Sequence, residues 1–181
     1  MTAPSTECLS RRAAAAAHQA LVVRCAPMTA ATKHHAEALL ADFLRGDDHY
    51  VASSQAYGDG GADALGRALD LFVARPEIGF VWLAFTAEAE GRTAVGACVV
   101  CHAISTSRGT LVAKLDDVTV ARARQNRGVG TAMLTALADH LRKHDITRID
   151  CACHRDNAGA WRFYEQLGFR PLDEERIALL L

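Results

Sequence analysis

The sequence predicts a mixed, mostly antiparallel α/β sheet with helices on both faces. Its apolar patterns run in the order strand, helix, helix, three strands, helix, strand, helix and strand. Three consecutive strands with short connections predict an antiparallel meander, and the later strand, helix and strand predict a parallel crossover. Of the 181 residues, 50% are hydrophobic, which is enough for one sizeable core. We expect one domain at residues 21–181, preceded by a tail at residues 1–20.

The first half of the chain predicts one strand and two helices. Residues 21–24 begin with Leu-Val-Val and predict a short strand. Thr29 is the expected N-cap of the first helix, which carries an apolar stripe and ends at Gly46. Residues 47–61 are polar and rich in glycine, which predicts a loop. A second amphipathic helix is predicted at residues 62–75, before a proline.

The second half predicts most of the sheet and two more helices. Apolar runs bounded by turn residues predict strands at residues 80–85, 93–103, 111–120, 147–153 and 176–181. A helix begins near Gly128, because apolar residues recur every four positions after it. The last helix is predicted at residues 157–167, with Asp156 as its N-cap and Gly168 at its end.

Charge and hydropathy bear on the partners of the chain. A formal net charge of -1 gives no general attraction to nucleic acid or to an anionic membrane. No apolar run approaches the roughly 20 residues of a membrane-spanning helix. Arg11 and Arg12 precede an alanine-rich stretch that makes a poor export signal. We expect a cytoplasmic protein that binds neither nucleic acid nor membranes.

Cysteine patterns raise the question of a haem or zinc site. Cys98, Cys101 and His102 match C-x-x-C-H, but strand residues three apart point to opposite faces and could not both reach one haem edge. Cys151 and Cys153 share a strand face, which differs from the turn that holds paired ligands in structural zinc sites. We therefore expect reduced thiols in the core and no metal.

An anion-binding loop is predicted between the strand that ends at Val120 and the next helix. The first N–H groups of a helix have no partner within it, and the helix dipole places about half a positive charge there. Glycine at 128 and 130 removes β-carbons that would hold a diphosphate away from the backbone. Arg122 and Arg124 add positive charge. The loop and helix start consist of Gln125, Asn126, Arg127, Gly128, Val129, Gly130 and Thr131.

Two motifs resemble the signatures of the GNAT superfamily of N-acetyltransferases. Residues 125–130 are similar to its Q/R-x-x-G-x-G/A signature and begin five residues after Val120. Residues 157–169 are similar to its second signature, N-x-x-A-x-x-F-Y-E-x-L-G-F. The resemblance covers residues 21–181, most closely residues 115–169. It implies the GNAT fold, in which the fourth and fifth strands are splayed apart.

The resemblance also implies an activity and a site. GNAT enzymes transfer the acetyl group of acetyl-CoA to a primary amine, by direct attack while both are bound. The pantetheine arm is expected between the strands at residues 111–120 and 147–153. Tyr164 corresponds to the family's general acid, which protonates the CoA sulfur. The implied cofactor-binding residues are Val118, Thr119, Val120, Gln125, Asn126, Arg127, Gly128, Val129, Gly130, Thr131, Asn157 and Tyr164.

The group that takes a proton from the amine is expected among Asp116 and Asp117. Adjacent strand residues point to opposite faces, so at most one of the two should face the acceptor. The family often places its base four residues before Val120, which selects Asp116 as base or as a contact for a cationic acceptor. Water is the other candidate. The proline that the family often has two residues after the valine is Arg122 here. Lys114 stands at another position where some family members carry a base.

Two other functions and several acceptors are compatible with the sequence. A GNAT-like module could bind acyl-CoA without turnover, and it would have no need of Tyr164. A G-x-G turn with Asp150 downstream resembles a Rossmann fingerprint, but its third small position is Met133. The acceptor is a small molecule or a protein, and the apolar residues 177–181 could pair in a homodimer. Candidate acceptor contacts are Asp47, Asp48, Tyr50, Tyr57 and Trp82.

Overall fold

The computed structural model describes residues 22–46, 51, 61–88 and 91–172. The predicted tail, the predicted last strand and dimer segment, most of the loop at 47–61 and the acceptor candidates within that loop lie outside these ranges. The described residues form β1 (Val23–Pro27), α1 (Lys33–Gly46), α2 (Gly61–Ala74), β2 (Gly79–Glu88), β3 (Gly91–Ser105), β4 (Thr110–Val120), α3 (Val129–Arg142), β5 (Ile149–Cys151) and α4 (Ala158–Gln166).

The strands form one sheet in the order β1-β2-β3-β4-β5. The first three pairings are antiparallel and the β4–β5 pairing is parallel. This confirms the predicted meander followed by a crossover. The Rossmann alternative is wrong, because that fold requires a mostly parallel sheet built from repeated βαβ units.

Two hydrophobic cores confirm that helices cover both faces of the sheet. On one face, α1 and α2 contribute Leu40 and Leu69, which are both 1% exposed. On the other face, α3 places Met133 and Leu137 against the strands, and the partly buried side of α4 packs beside them. Each buried leucine stabilises the fold by about 2 kcal/mol relative to an exposed one. We refer to the two sides as the α1/α2 face and the α3/α4 face.

The described cysteines are unpaired thiols that divide between these faces. Cys98 belongs to the core under α3 and α4, whereas Cys101 packs against the core under α1 and α2. The predicted opposite orientation of the two thiols is therefore confirmed. Among the described residues, no group of three metal-ligating side chains is present, and no helix is long and apolar enough to cross a membrane.

The long β2–β3 hairpin extends beyond the strands predicted for it. Cross-strand pairing continues through Thr86 with Thr93 and Ala87 with Arg92, where the apolar pattern has already stopped. Backbone hydrogen bonds of a neighbouring strand thus override the local pattern. Strand β1 ends at Pro27, which an edge strand tolerates because one side of it has no pairing partner in the described sheet.

Candidate active site

The pairing between β4 and β5 ends halfway along β4. Their pairing covers Ala113 to Leu115 on β4 and ends at Cys151, whereas β4 continues to Val120. β5 is accordingly shorter than the predicted strand at 147–153. Residues 116–120 therefore present backbone N–H and C=O groups to an open wedge, where an extended ligand could add as a strand does. Val118, Thr119 and Val120 lie there.

A β-bulge reorients the two acids of β4. Leu115 pairs with Val100 and Val118 pairs with Cys98, so Val99 alone opposes both intervening residues of β4. Leu115 and Val118 pack in the same α3/α4 core although they are three residues apart. Asp116 and Asp117 consequently both lie on the α1/α2 face. The expectation that the two acids point to opposite faces is therefore wrong, because strict alternation fails at a bulge. The bulge had a signal in the sequence: the apolar residues Leu115 and Val118 stand on either side of two adjacent acids.

The two carboxyl groups differ in their environment. Asp116 is exposed and Asp117 is half-buried. Burial, and then the neighbouring charge of Asp116, raise the pKa of Asp117 to about 6. A carboxylate with that pKa is ionised at neutral pH and still able to take a proton, which an ordinary aspartate with a pKa near 3.9 does poorly. Asp117 thus has the electrostatic character of a base.

The phenol of Tyr164 lies at the apex of the wedge. Its ring packs between Phe163 and Phe169, with 5.3 Å between ring centroids in each case. Burial and the adjacent Cys151 thiol raise the pKa of Tyr164 above its ordinary value. The phenol is therefore protonated at neutral pH, and it is a weaker acid than an ordinary tyrosine. Tyr164 packs against the core of the α3/α4 face, the opposite face from the two acids.

The N-terminus of α3 is open to a ligand. Its N-cap residue, Gly128, has φ 78°, and no side chain caps the helix within the described part of the chain. A β-carbon on Gly128 would meet no atom within 4 Å, so the space beside it is open. Asn126 also has a positive φ, of 57°. Such turns aim successive N–H groups to one side, which suits the diphosphate of a coenzyme.

Three hydrogen bonds fix this loop to the rest of the fold. The Ala121 N–H donates to the Val95 carbonyl at 2.9 Å. The Gln125 side-chain amide donates to the Val120 carbonyl at 3.1 Å. The Arg122 guanidinium donates to the Gly46 carbonyl, also at 3.1 Å, where its charge complements the C-terminus of α1. The Gln125 amide and the Arg122 guanidinium therefore hold the loop in place.

The glycine at 130 has a different role from the one its motif suggested. A β-carbon there would lie 3.1 Å from the Phe163 ring and 3.7 Å from a methyl group of Val120. It would therefore point into the packed interior. Gly130 allows α3 and α4 to pack closely, and Gly128 is the position that leaves the ligand side clear. Val129 is buried, whereas Arg127 and Thr131 are exposed.

Asn157 caps the helix that carries Tyr164. Its Oδ1 accepts a hydrogen bond from the Ala160 N–H at 3.0 Å. The predicted cap, Asp156, is wrong by one residue because α4 begins at Ala158. Only the Nδ2 group of Asn157 can donate to a coenzyme arm while the cap is kept.

Trp82 belongs to the core. It is 4% exposed, and its Nε1 donates to the Met133 carbonyl at 3.1 Å. The suggestion that its ring contacts the acceptor is therefore wrong. Its strand lies under α3, which covers this face of the sheet.

The chain belongs to the acetyltransferase (GNAT) family, whose signature matches residues 36–169. This range includes the wedge, the loop and Tyr164, and it confirms the resemblance seen in the two motifs. No curated protein matches the sequence.

Solved structures of acetyltransferases share the fold. The chain is similar to the ribosomal-protein-alanine N-acetyltransferase of Brucella melitensis biovar Abortus 2308, with 16% identity, coverage of 88% and 99% of the two chains and a TM-score of 0.66. It is also similar to AAC(6')-Iy in complex with the bisubstrate analogue CoA-S-monomethyl-acetylneamine, with 15% identity, coverage of 88% and 97% and a TM-score of 0.63. It is similar as well to glucosamine-6-phosphate N-acetyltransferase from Arabidopsis thaliana, with 12% identity, coverage of 87% and 98% of the two chains and a TM-score of 0.62. At these identities the likeness concerns the fold alone.

Proposed function

We propose that this protein transfers the acetyl group of acetyl-CoA to a primary amine by direct attack in a ternary complex. The observation that carries the proposal is the open edge of β4 at 116–120, which leads from the uncapped N-terminus of α3 to the Tyr164 phenol. A coenzyme needs these three features in this order, for its diphosphate, its arm and its thioester. We also propose a cytosolic setting, where thiols such as Cys98 stay reduced.

The residues of the loop and wedge account for binding and orientation. Backbone N–H groups from Asn126 to Thr131, with the charge of Arg127, would hold the diphosphate. Main-chain groups of Val118, Thr119 and Val120 would pair with the amides of the arm. Holding both reactants in one cleft supplies much of the rate, because the reaction no longer depends on a chance encounter.

Two side chains, Tyr164 and Asp117, would carry out the proton transfers. Tyr164 would donate its phenolic proton to the leaving sulfur, because a phenol is protonated at neutral pH and the departing thiolate is the group that needs the proton. Asp117 would accept the proton that the attacking amine loses, directly or through water. Asp116 is exposed beside it and would attract the ammonium form of the acceptor. The proposed base, Asp117, is thus the neighbour of Asp116, the residue that the family position selects.

The acceptor class follows from this charge pattern. Two carboxylates at the attack side favour a cationic amine over an anionic or apolar acceptor. The three structural neighbours are named for acting on, or for binding an analogue of, an amine: the alanine of a ribosomal protein, neamine and glucosamine-6-phosphate. We therefore propose a primary amine without choosing between a small molecule and a protein.

Thiol release tests the proposal. The full chain is incubated with acetyl-CoA and a panel of diamines, aminoglycosides and peptides with free N-termini, and acetylated products are identified by mass spectrometry. We expect thiol release that depends on one amine class and yields one acetyl group per thiol. Saturable acetyl-CoA binding without turnover on any acceptor would instead favour the non-catalytic acyl-CoA module.

A further inference from the structure

A cavity lies near the β1 edge of the sheet, away from the wedge between β4 and β5. It has a volume of about 370 Å³ and is lined by residues of β1, β2 and β3 and the residue before β1. This size is within the range of small-molecule sites. Its lining consists of Val22, Arg24, Phe85, Thr86, Ala87 and Arg92.

The strand register brings two arginines to the same face over this cavity. Arg24 pairs with Phe85, and Arg92 pairs with Ala87. Directly paired residues, and residues two apart on one strand, point to the same side of a sheet. Phe85 packs against the α1/α2 core, so both arginines belong to that face, and both line the same cavity as Phe85.

The two arginines of this cavity have no carboxylate partner in the part of the chain that the structure describes. Within residues 22–46, 61–88 and 91–172, neither Arg24 nor Arg92 pairs with a carboxylate, and the lining contains no acid. Four other exposed arginines among the described residues do have acidic partners. The pairs are Arg45 with Asp42, Arg75 with Glu77, Arg142 with Asp139 and Arg148 with Asp150.

The residue of α1 that contacts Phe85 is uncharged. His35 of α1 meets the Phe85 ring edge-on at 5.6 Å between centroids. Burial, and then the neighbouring His34, lower the pKa of His35, so its ring is neutral at neutral pH. The floor of the cavity is therefore apolar and its rim is cationic, which is the arrangement that strengthens a guanidinium–oxyanion contact.

We propose that Arg24 and Arg92 form a binding site for a small oxyanion, such as a phosphate or carboxylate group, separate from the acyl-transfer site. Each guanidinium would offer two parallel N–H donors to the oxygens. The site spans β1 to β3, whereas the wedge lies between β4 and β5, so the two sites can be occupied together.

Calorimetric titration with inorganic phosphate tests this site. The full chain is first saturated with CoA, which by the proposed function covers the loop before α3, and ionic strength is kept constant. We expect saturable binding of one phosphate that weakens about tenfold in R24Q and in R92Q, since each change removes charge-assisted hydrogen bonds. R67Q, an exposed arginine on α2, is the matched control and should bind as the wild type does.

Two results would overturn the proposal. One is phosphate binding that is equal in wild type, R24Q and R92Q. The other is an equal loss in R67Q, which would mean that only overall charge matters. Melting temperatures of the variants show that each is folded, and because Arg24 and Arg92 are both exposed, at least one of the two variants should pass this check. The test requires no acetyl transfer, so it stands apart from the proposed activity.

Discussion

The loop before α3 and the apex of the wedge offer a ligand two different kinds of contact. The loop offers backbone N–H groups whose direction depends on left-handed residues such as Gly128. The apex offers side chains, the phenol of Tyr164 on one face and the carboxyl of Asp117 on the other. Substitutions in the loop should therefore change coenzyme affinity, and substitutions at the apex should change the rate of the chemical step.

The largest effect should come from Tyr164→Phe. This change removes the proposed proton donor but keeps the ring that packs between Phe163 and Phe169. We expect kcat to fall about 1000-fold, within the range of general acid catalysis, with little change in the KM for acetyl-CoA. Steady-state thiol release measures both constants. Near-normal kcat would show that the sulfur is protonated elsewhere.

Asp117→Asn should have the next largest effect, about 100-fold on kcat/KM. In the wild type kcat/KM should fall as pH drops through about 6, because protonated Asp117 cannot act as a base. The variant should lose that dependence. Asp116→Asn is the matched control and should mainly raise the KM for the acceptor. If Asp116→Asn abolishes the pH dependence and Asp117→Asn keeps it, the base is Asp116, as the family position suggests.

The same group predicts a trend in stability. The pKa of Asp117 is higher in the folded protein than its ordinary value of 3.8, so the native state holds the proton more tightly than the unfolded chain. The contribution of Asp117 to stability is fully present at low pH and is lost as pH rises through about 6. The free energy of unfolding, measured by urea titration, should therefore fall more steeply with pH in the wild type than in Asp117→Asn between pH 3.8 and about 6.

A loop substitution should show the opposite signature. Gly128→Ala places a β-carbon at φ 78°, which costs roughly 1–2 kcal/mol and disturbs the N–H groups of the loop. We expect the KM for acetyl-CoA to rise about tenfold while kcat is largely kept. Gly66→Ala on α2, where a β-carbon meets nothing within 4 Å, is the control and should leave KM unchanged. A fall in kcat alone would contradict the division between loop and apex.

The smallest effect is expected at Asn157, and two variants separate its two roles. Asn157→Asp keeps an oxygen for the Ala160 N–H and removes the Nδ2 donor. It should raise the KM for acetyl-CoA a few-fold without changing the melting temperature. Asn157→Ala should also lower the melting temperature by about 2–4 °C, because the cap is lost. Equal KM values for Asn157→Asp and wild type would leave Asn157 with a structural role only.

Much of this fold was predictable because its signals are local. The apolar period of α3, with Met133 and Leu137 on one side, and the end of α1 at Gly46 follow from the chemistry of single turns. The loop signature was recognisable for the same reason, since a left-handed N-cap such as Gly128 requires glycine. Family membership followed from two such motifs in the right order.

The rest depends on contacts between distant segments. The sequence alone determined the order of the described elements, the position of the glycine-containing loop before α3 and the presence of acids on β4. Only the tertiary structure decided that a bulge opposite Val99 turns Asp116 and Asp117 to one face, and that Gly130 exists to accommodate Phe163. It also brought Arg24 and Arg92 together from different strands. Register and helix packing arise from pairing across the sheet, which no local pattern of residues encodes.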